Sequence, residues 1–146
     1  MPSATFTLFQ DFKEQLGKGK HSLASDTIKV ALTNSAPNAT DATLSQISQI
    51  SATGGYTAGA GGGYSLTGVS YTEASGTGTF THTDPFVITA SGGSVGAFRY
   101  LVYYNDTQTS PADALIGYLD YGSSITLADT ETISIDLPVG GLFTIA

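Results

Sequence analysis

A chain of 146 residues without cysteine must draw any chemistry from histidines, carboxylates, hydroxyls and its few cations. Lacking Cys, it offers no thiol nucleophile, no disulfide and no Cys-based zinc site, and its redox compartment stays unread. His21 closes the basic turn Gly17-Lys18-Gly19-Lys20-His21, and His82 stands in Thr81-His82-Thr83-Asp84. Neither has a second histidine at metal-ligand spacing, so a solvated or half-buried imidazole is the plainer reading of each. No serine occupies a Gly-x-Ser-x-Gly elbow. Asp106, Asp113 and Asp120 surround one hairpin and are of the type that holds Ca²⁺, with turn and strand-end carboxylates as the plainer alternative. The glycine-rich stretch Thr53 to Gly63 lacks the Lys-Ser/Thr and the following helix of a phosphate cradle. Asn38-Ala39-Thr40 and Asn105-Asp106-Thr107 fit the glycosylation pattern but read as turns in a chain with no export signal. Arg99 is the residue to watch. A lone cation in an apolar run needs a carboxylate, because an unpaired buried charge is costly, and Asp120 is the cross-strand candidate. No constellation of nucleophile and base emerges, so neither an enzyme nor a cofactor is expected.

The element that positions these groups is the stretch Ala97 to Tyr121. Ala97-Phe98-Arg99-Tyr100-Leu101-Val102-Tyr103-Tyr104 is apolar and aromatic apart from Arg99, and too short to span a membrane. Strict alternation puts Phe98, Tyr100, Val102 and Tyr104 on one face and Arg99, Leu101 and Tyr103 on the other. Asn105 to Asp113 is rich in turn formers, and Ala114-Leu115-Ile116-Gly117-Tyr118-Leu119-Asp120-Tyr121 returns as the second arm of a central hairpin.

Phe6 to Leu16 is the one helix the pattern predicts, with Phe9, Phe12 and Leu16 on a single stripe and Gly17 as cap. It is too short to be stable alone. Residues 1–25 are therefore expected to form a docking arm. Phe9, Phe12, Leu16, Lys18 and Lys20, joined by Tyr56 and Tyr64, are the candidate partner-binding residues.

Strands are predicted at Asp26 to Thr33, Tyr64 to Tyr71, Gly78 to Thr83, Phe86 to Ala90, Glu131 to Leu137 and Leu142 to Ile145, with a weak one at Ser124 to Leu127. Leu44 to Ile50 fits a helical turn or an irregular strand equally. The glycine-rich stretch at 53–63 reads as a long loop. Turns this frequent point to an all-β domain over residues 26–146, a jelly-roll or Greek-key β-sandwich preceded by one short α-helix.

Charged residues make up only 12% of the chain, and 15 Phe and Tyr residues supply core area. The net charge of −7 repels phosphate, which argues against nucleic-acid binding. Residues 1–29 carry +1 and residues 30–146 carry −8, so the acidic bulk either aids solubility or leaves the N-terminal segment to meet an acidic partner. No hydrophobic run spans a bilayer and no signal peptide is read, so no membrane partner is expected and synthesis is placed in the cytoplasm.

The motifs Asp26-Thr27-Ile28-Lys29-Val30-Ala31-Leu32, Gly55-Tyr56-Thr57-Ala58-Gly59, Arg99-Tyr100-Leu101-Val102-Tyr103-Tyr104-Asn105-Asp106-Thr107 and Leu115-Ile116-Gly117-Tyr118-Leu119-Asp120-Tyr121-Gly122 occur in that order. In this succession the chain resembles small virion proteins of tailed bacteriophages, in particular head decoration (cement) proteins. The resemblance implies a non-enzymatic protein on the capsid surface, clamping neighbouring major capsid subunits, with the major capsid protein and further copies of itself (a homo-dimer or homo-trimer) as partners. A tail or fibre module with exposed tyrosines on host surface glycans is the alternative. A small hydrolase is a distant third.

Overall fold

The computed structural model describes residues 5–146. Ten strands and one α-helix follow one another as β1 (Thr5–Leu8), α1 (Gln10–Gly17), β2 (Ile28–Thr33), β3 (Tyr64–Ser65), β4 (Ser70–Ala74), β5 (Thr77–Thr81), β6 (Phe86–Thr89), β7 (Val95–Thr109), β8 (Ala112–Leu127), β9 (Thr132–Ile135) and β10 (Phe143–Ile145). The chain is mostly strand, 46%, with 8% helical, as an all-β sandwich with a short helix requires.

The five-stranded sheet runs β1-β8-β7-β2-β3, and every pairing in it is antiparallel. Two smaller sheets, β10-β5-β4 and β6-β9, supply the opposing layer. The main core lies between the layers. Ile28, Val30, Leu32, Leu101, Tyr103, Ile116 and Leu119 project into it from the large sheet, and Phe80, Ile88, Ile135 and Phe143 from the small ones. Each such side chain contributes about 1.5–3 kcal/mol of transfer free energy relative to exposure. A second cluster of Phe9, Ala31, Leu44, Ile47, Val102, Tyr104 and Leu115 covers the other face of the large sheet. Burial on both faces is the reason the central strands read as nearly continuous apolar runs.

Several expectations are corrected. The hairpin turns at Ser110-Pro111, so Asn105 to Thr109 belongs to β7 rather than to a long polar connection. Alternation breaks between Phe98 and Tyr100, where the register with β8 jumps from Ile125 to Asp120. Phe98 consequently joins Leu101 and Tyr103 in the main core. Tyr64 to Tyr71 is two separate strands, β3 and β4, and the weak segment at Ser124 to Leu127 is the end of β8. Leu44–Gln46 forms a 3-10 turn, and Gln49 then bridges Thr33 as strand-like backbone.

The N-terminal segment differs most. Thr5–Leu8 is strand, not helix, paired with Gly117 to Asp120 of β8. Gly117 permits this pairing, since a Cβ there would lie 2.4 Å from the Phe6 ring and 2.6 Å from the Thr7 carbonyl oxygen. The helix begins at Gln10, and Phe9 at its N-cap donates its backbone N–H to the Ile116 carbonyl at 3.1 Å. Residues 5–25 are thus built into the sandwich. The docking arm expected over residues 1–25 is not what residues 5–25 form, and residues 1–4 of it lie outside the described residues.

Candidate functional site

The stripe expected to dock is turned inward. Phe9 and Phe12 are both 0% exposed. Phe9 packs 5.4 Å from the Tyr118 ring, and Phe12 lies 5.6 Å from Phe143 and 5.0 Å from His21. The N-cap and the helix serve different clusters, Phe9 the second cluster and Phe12 the main core. Leu16 is half-buried against the main core. Lys18 is exposed and paired with Glu14 one helical turn away, and Lys20 is half-exposed.

Tyr56 and Tyr64 are also structural. Tyr56 is 2% exposed and pins the glycine-rich loop, donating its hydroxyl to Gln49 Oε1 at 2.7 Å and accepting from the Leu32 N–H at 3.0 Å. Burial pushes its pKa up to about 12. Tyr64 is half-buried 5.6 Å from the Tyr56 ring. The loop they hold is folded on itself rather than loose, with Gly63 donating to the Thr57 carbonyl at 2.7 Å. Gly63 lies so near the Val30 carbonyl, 2.2 Å from where a Cβ would stand, that no other residue fits, and its φ of +86° favours glycine as well.

Arg99 and Asp120 meet through two hydrogen bonds, Nε to Oδ1 at 2.8 Å and Nη2 to Oδ2 at 3.0 Å. The fork is bidentate but open to water, with side chains 39% and 33% exposed. It is therefore not the buried pair expected from the apolar setting of Arg99. The guanidinium holds the Asp120 carboxyl below the usual carboxylate range, helped by the Gly122 N–H. Arg99 also lies 5.3 Å from the Tyr100 ring, and Tyr100 meets Tyr118 edge to face at 6.0 Å.

Both histidines are inside. His82 places Nδ1 3.0 Å from the Thr83 carbonyl, so Nδ1 carries the proton and Nε2 accepts from the Tyr103 hydroxyl at 2.9 Å. His21 Nδ1 faces the Asn105 amide nitrogen at 3.1 Å and accepts from it, and the same amide donates to Asp26 at 2.7 Å. Burial lowers the pKa of each imidazole. These rings tie elements together; His82 also borders a small cleft with Ser65 and Thr67, but both of its nitrogens are committed to Thr83 and Tyr103.

Among the clefts of the described residues is a groove of about 660 Å³ on the second-cluster side of the sheet, lined by Thr43, Leu44, Ile47, Gly59, Ala60 and Asp113 among others. Its size lies in the range of ligand sites. Three segments build it. The 3-10 turn is fixed by a capping box, in which Gln46 Oε1 accepts from the backbone of Ala42 at 2.7 Å and Thr43 at 3.1 Å. The glycine loop is held by Gln49, which accepts from the Gly59 N–H at 3.3 Å, and by the Tyr104 hydroxyl donating to the Gly62 carbonyl. The hairpin end contributes Ala112 and Asp113, with Asp113 at φ +50°, a left-handed conformation that Asp tolerates better than most residues.

Beside the groove the Asp113 and Asp106 carboxyls are neighbours. Lys29 reaches Asp106 Oδ2 at 3.1 Å and the Gly61 carbonyl at 2.7 Å. Burial, with the Asp106 carboxylate next to it, pushes the Asp113 carboxyl above its usual range. Asp120, engaged with Arg99, does not join them, so the three aspartates of the hairpin do not converge as a Ca²⁺ site would require. Among the described residues no group of three or more His, Cys, Asp or Glu is placed to hold a metal ion. The groove offers an aliphatic floor and a carboxylate wall, which is binding chemistry. Sequence reasoning missed Lys29 here, although it is a lone cation in an apolar strand and signals a carboxylate partner by the logic applied to Arg99.

No family model, curated protein or solved structure matches the chain.

Proposed function

We propose that the protein is a non-enzymatic virion component that binds the outside of a phage capsid and clamps neighbouring major capsid subunits. The observation that carries the binding part of this reading is the groove between the 3-10 turn, the glycine loop and the hairpin end. It is walled by backbone and by the Asp113 carboxylate, while Phe9 and Phe12 are spent on the protein's own core. The virion part rests on the ordered motifs quoted above. Tight burial on both faces of the central sheet and the absence of cysteine from the chain suit a particle exposed to the medium. The testing experiment is stoichiometry. In purified particles the protein should occur in a fixed, high ratio to the major capsid protein, and a few copies per particle would defeat the reading.

A second reading, a tail or fibre module contacting host surface glycans, is favoured by one observation. Tyr100 and Tyr118 are half-exposed, meet edge to face, and lie beside the water-exposed Arg99–Asp120 fork. Aromatic faces next to planar polar groups suit sugar rings, and this reading predicts few copies per particle together with binding to host cells.

A further inference from the structure

Resting on the capsid-binding reading, we propose that the groove takes a basic side chain of a partner polypeptide, its aliphatic stem along Leu44, Ile47, Ala60 and Ala112 and its cationic head at the Asp113 carboxylate. None of the described residues lining the groove is a cation. Lys29 is the cation next to it, and Lys29 is already engaged by Asp106 and the Gly61 carbonyl. Asp113 is left on the groove wall with a second carboxylate beside it and in a partly desolvated position, so its charge is unfavourable in the free protein. An incoming ammonium or guanidinium relieves both penalties at once.

The floor selects the rest of the guest. Leu44 and Ile47 are 2% and 8% exposed and belong to the second cluster. The small side chains of Ala60 and Ala112 complete the lining and take up little of the space. A long methylene stem ending in a charge is what Lys and Arg present, and such stems cover apolar surface while the head stays at a polar group. At about 660 Å³ the groove exceeds one side chain, so residues flanking the basic one lie in it too. Charge complementarity points the same way, since residues 30–146 carry −8.

The probe is a short blocked peptide, acetyl-Ala-Val-Lys-Val-Ala-amide, titrated into the full chain and followed by NMR. Companion peptides carry norleucine or Glu in place of the Lys, and cadaverine tests a free amine. The Lys peptide should shift the Leu44, Ile47, Ala60 and Ala112 methyl resonances. The norleucine peptide should bind about tenfold more weakly, the loss expected for one close charge pair, and the Glu peptide more weakly still. Asp113→Asn, which keeps the shape and tolerates the left-handed backbone, should erase the preference for Lys with a Tm equal to or above that of the wild type. Ala112→Lys, which places a cation in the groove, should block the peptide. Equal binding of the norleucine peptide, shifts confined to the Tyr100 and Tyr118 face, or cadaverine binding as tightly as the peptide would each overturn the proposal. Adding wild type and Asp113→Asn to particles lacking the protein separates the two readings. If both dock equally, the groove assignment fails and the capsid reading stands. If neither docks while the Lys peptide still binds, the capsid reading fails and the groove assignment stands.

Discussion

The Tyr103 hydroxyl lies 2.9 Å from Nε2 of His82, joining the central strand β7 to the layer that covers it. Both residues are buried, and the opposite imidazole nitrogen is committed to the Thr83 carbonyl, so the tautomer is set and Tyr103 has to donate. Burial pushes the Tyr103 pKa far up, which keeps that proton in place at any ordinary pH. Tyr103→Phe removes the donor and leaves the ring nitrogen without it. The expected loss is about 1–3 kcal/mol, the cost of a buried unsatisfied polar group, measured by urea denaturation. An unchanged midpoint would mean that the bond contributes nothing net.

Both imidazoles have pKa values lowered by burial, opposed by Asp26 and Asp11 around His21 and by the Thr83 carbonyl and Asp84 around His82. The folded chain therefore binds fewer protons than the unfolded chain below about pH 6.5, the ordinary histidine value. Stability present above that pH is lost as the pH falls through it toward the folded-state values. Thermal scans should show Tm falling between about pH 7 and pH 5, above the ordinary carboxylate range, with the raised Asp113 carboxyl alone working in the opposite sense. The profile should flatten in the double variant His21→Gln, His82→Gln. A Tm that rises on acidification over this interval contradicts the burial of both rings.

Phe9 and Phe12 each fill the protein's own core, so Phe9→Ala or Phe12→Ala should cost about 3–5 kcal/mol, the usual range for deleting a buried phenyl ring. The amides of α1 should also resist hydrogen exchange in the free protein. A stable variant that loses only particle binding would restore the docking-arm view that the packing has displaced.

The Arg99–Asp120 fork makes a different prediction because it is open to water. Solvent screening and the entropy of holding two side chains reduce the value of such a pair. Arg99→Ala should lower Tm slightly and the effect should shrink at high salt. A collapse of the fold would show that the guanidinium is far less solvated than its exposure indicates.

These outcomes follow how legibility divides along the chain. The strand Ile28–Thr33, the two arms of the β7–β8 hairpin and the Arg99–Asp120 partnership could be read locally, from alternation and from the cost of a lone charge. Thr5–Leu8 could not. Four residues hold too little period to separate strand from helix, and what makes them strand is pairing with Gly117 to Asp120, at the far end of the sequence. The face of Phe98 was hidden for a similar reason, since the register jump depends on how β8 runs between Asp120 and Ile125. Tyr56 was misplaced because glycines around an aromatic read as a loose loop, whereas a lone ring among glycines here is the anchor that fixes them. The groove is the least legible feature. It joins residues from the 43–49 turn, the 59–60 loop and the hairpin end, which only the folded sheet brings together.

The central claim, a capsid-binding protein gripping its partner through that groove, is met most directly by cryo-microscopy of the particle. The account predicts density for this sandwich on the outer surface of the head, at contacts between neighbouring major capsid subunits, with a basic side chain of a capsid subunit against Asp113. Density for the fold on the tail, or on the head with the groove open to solvent, would contradict it.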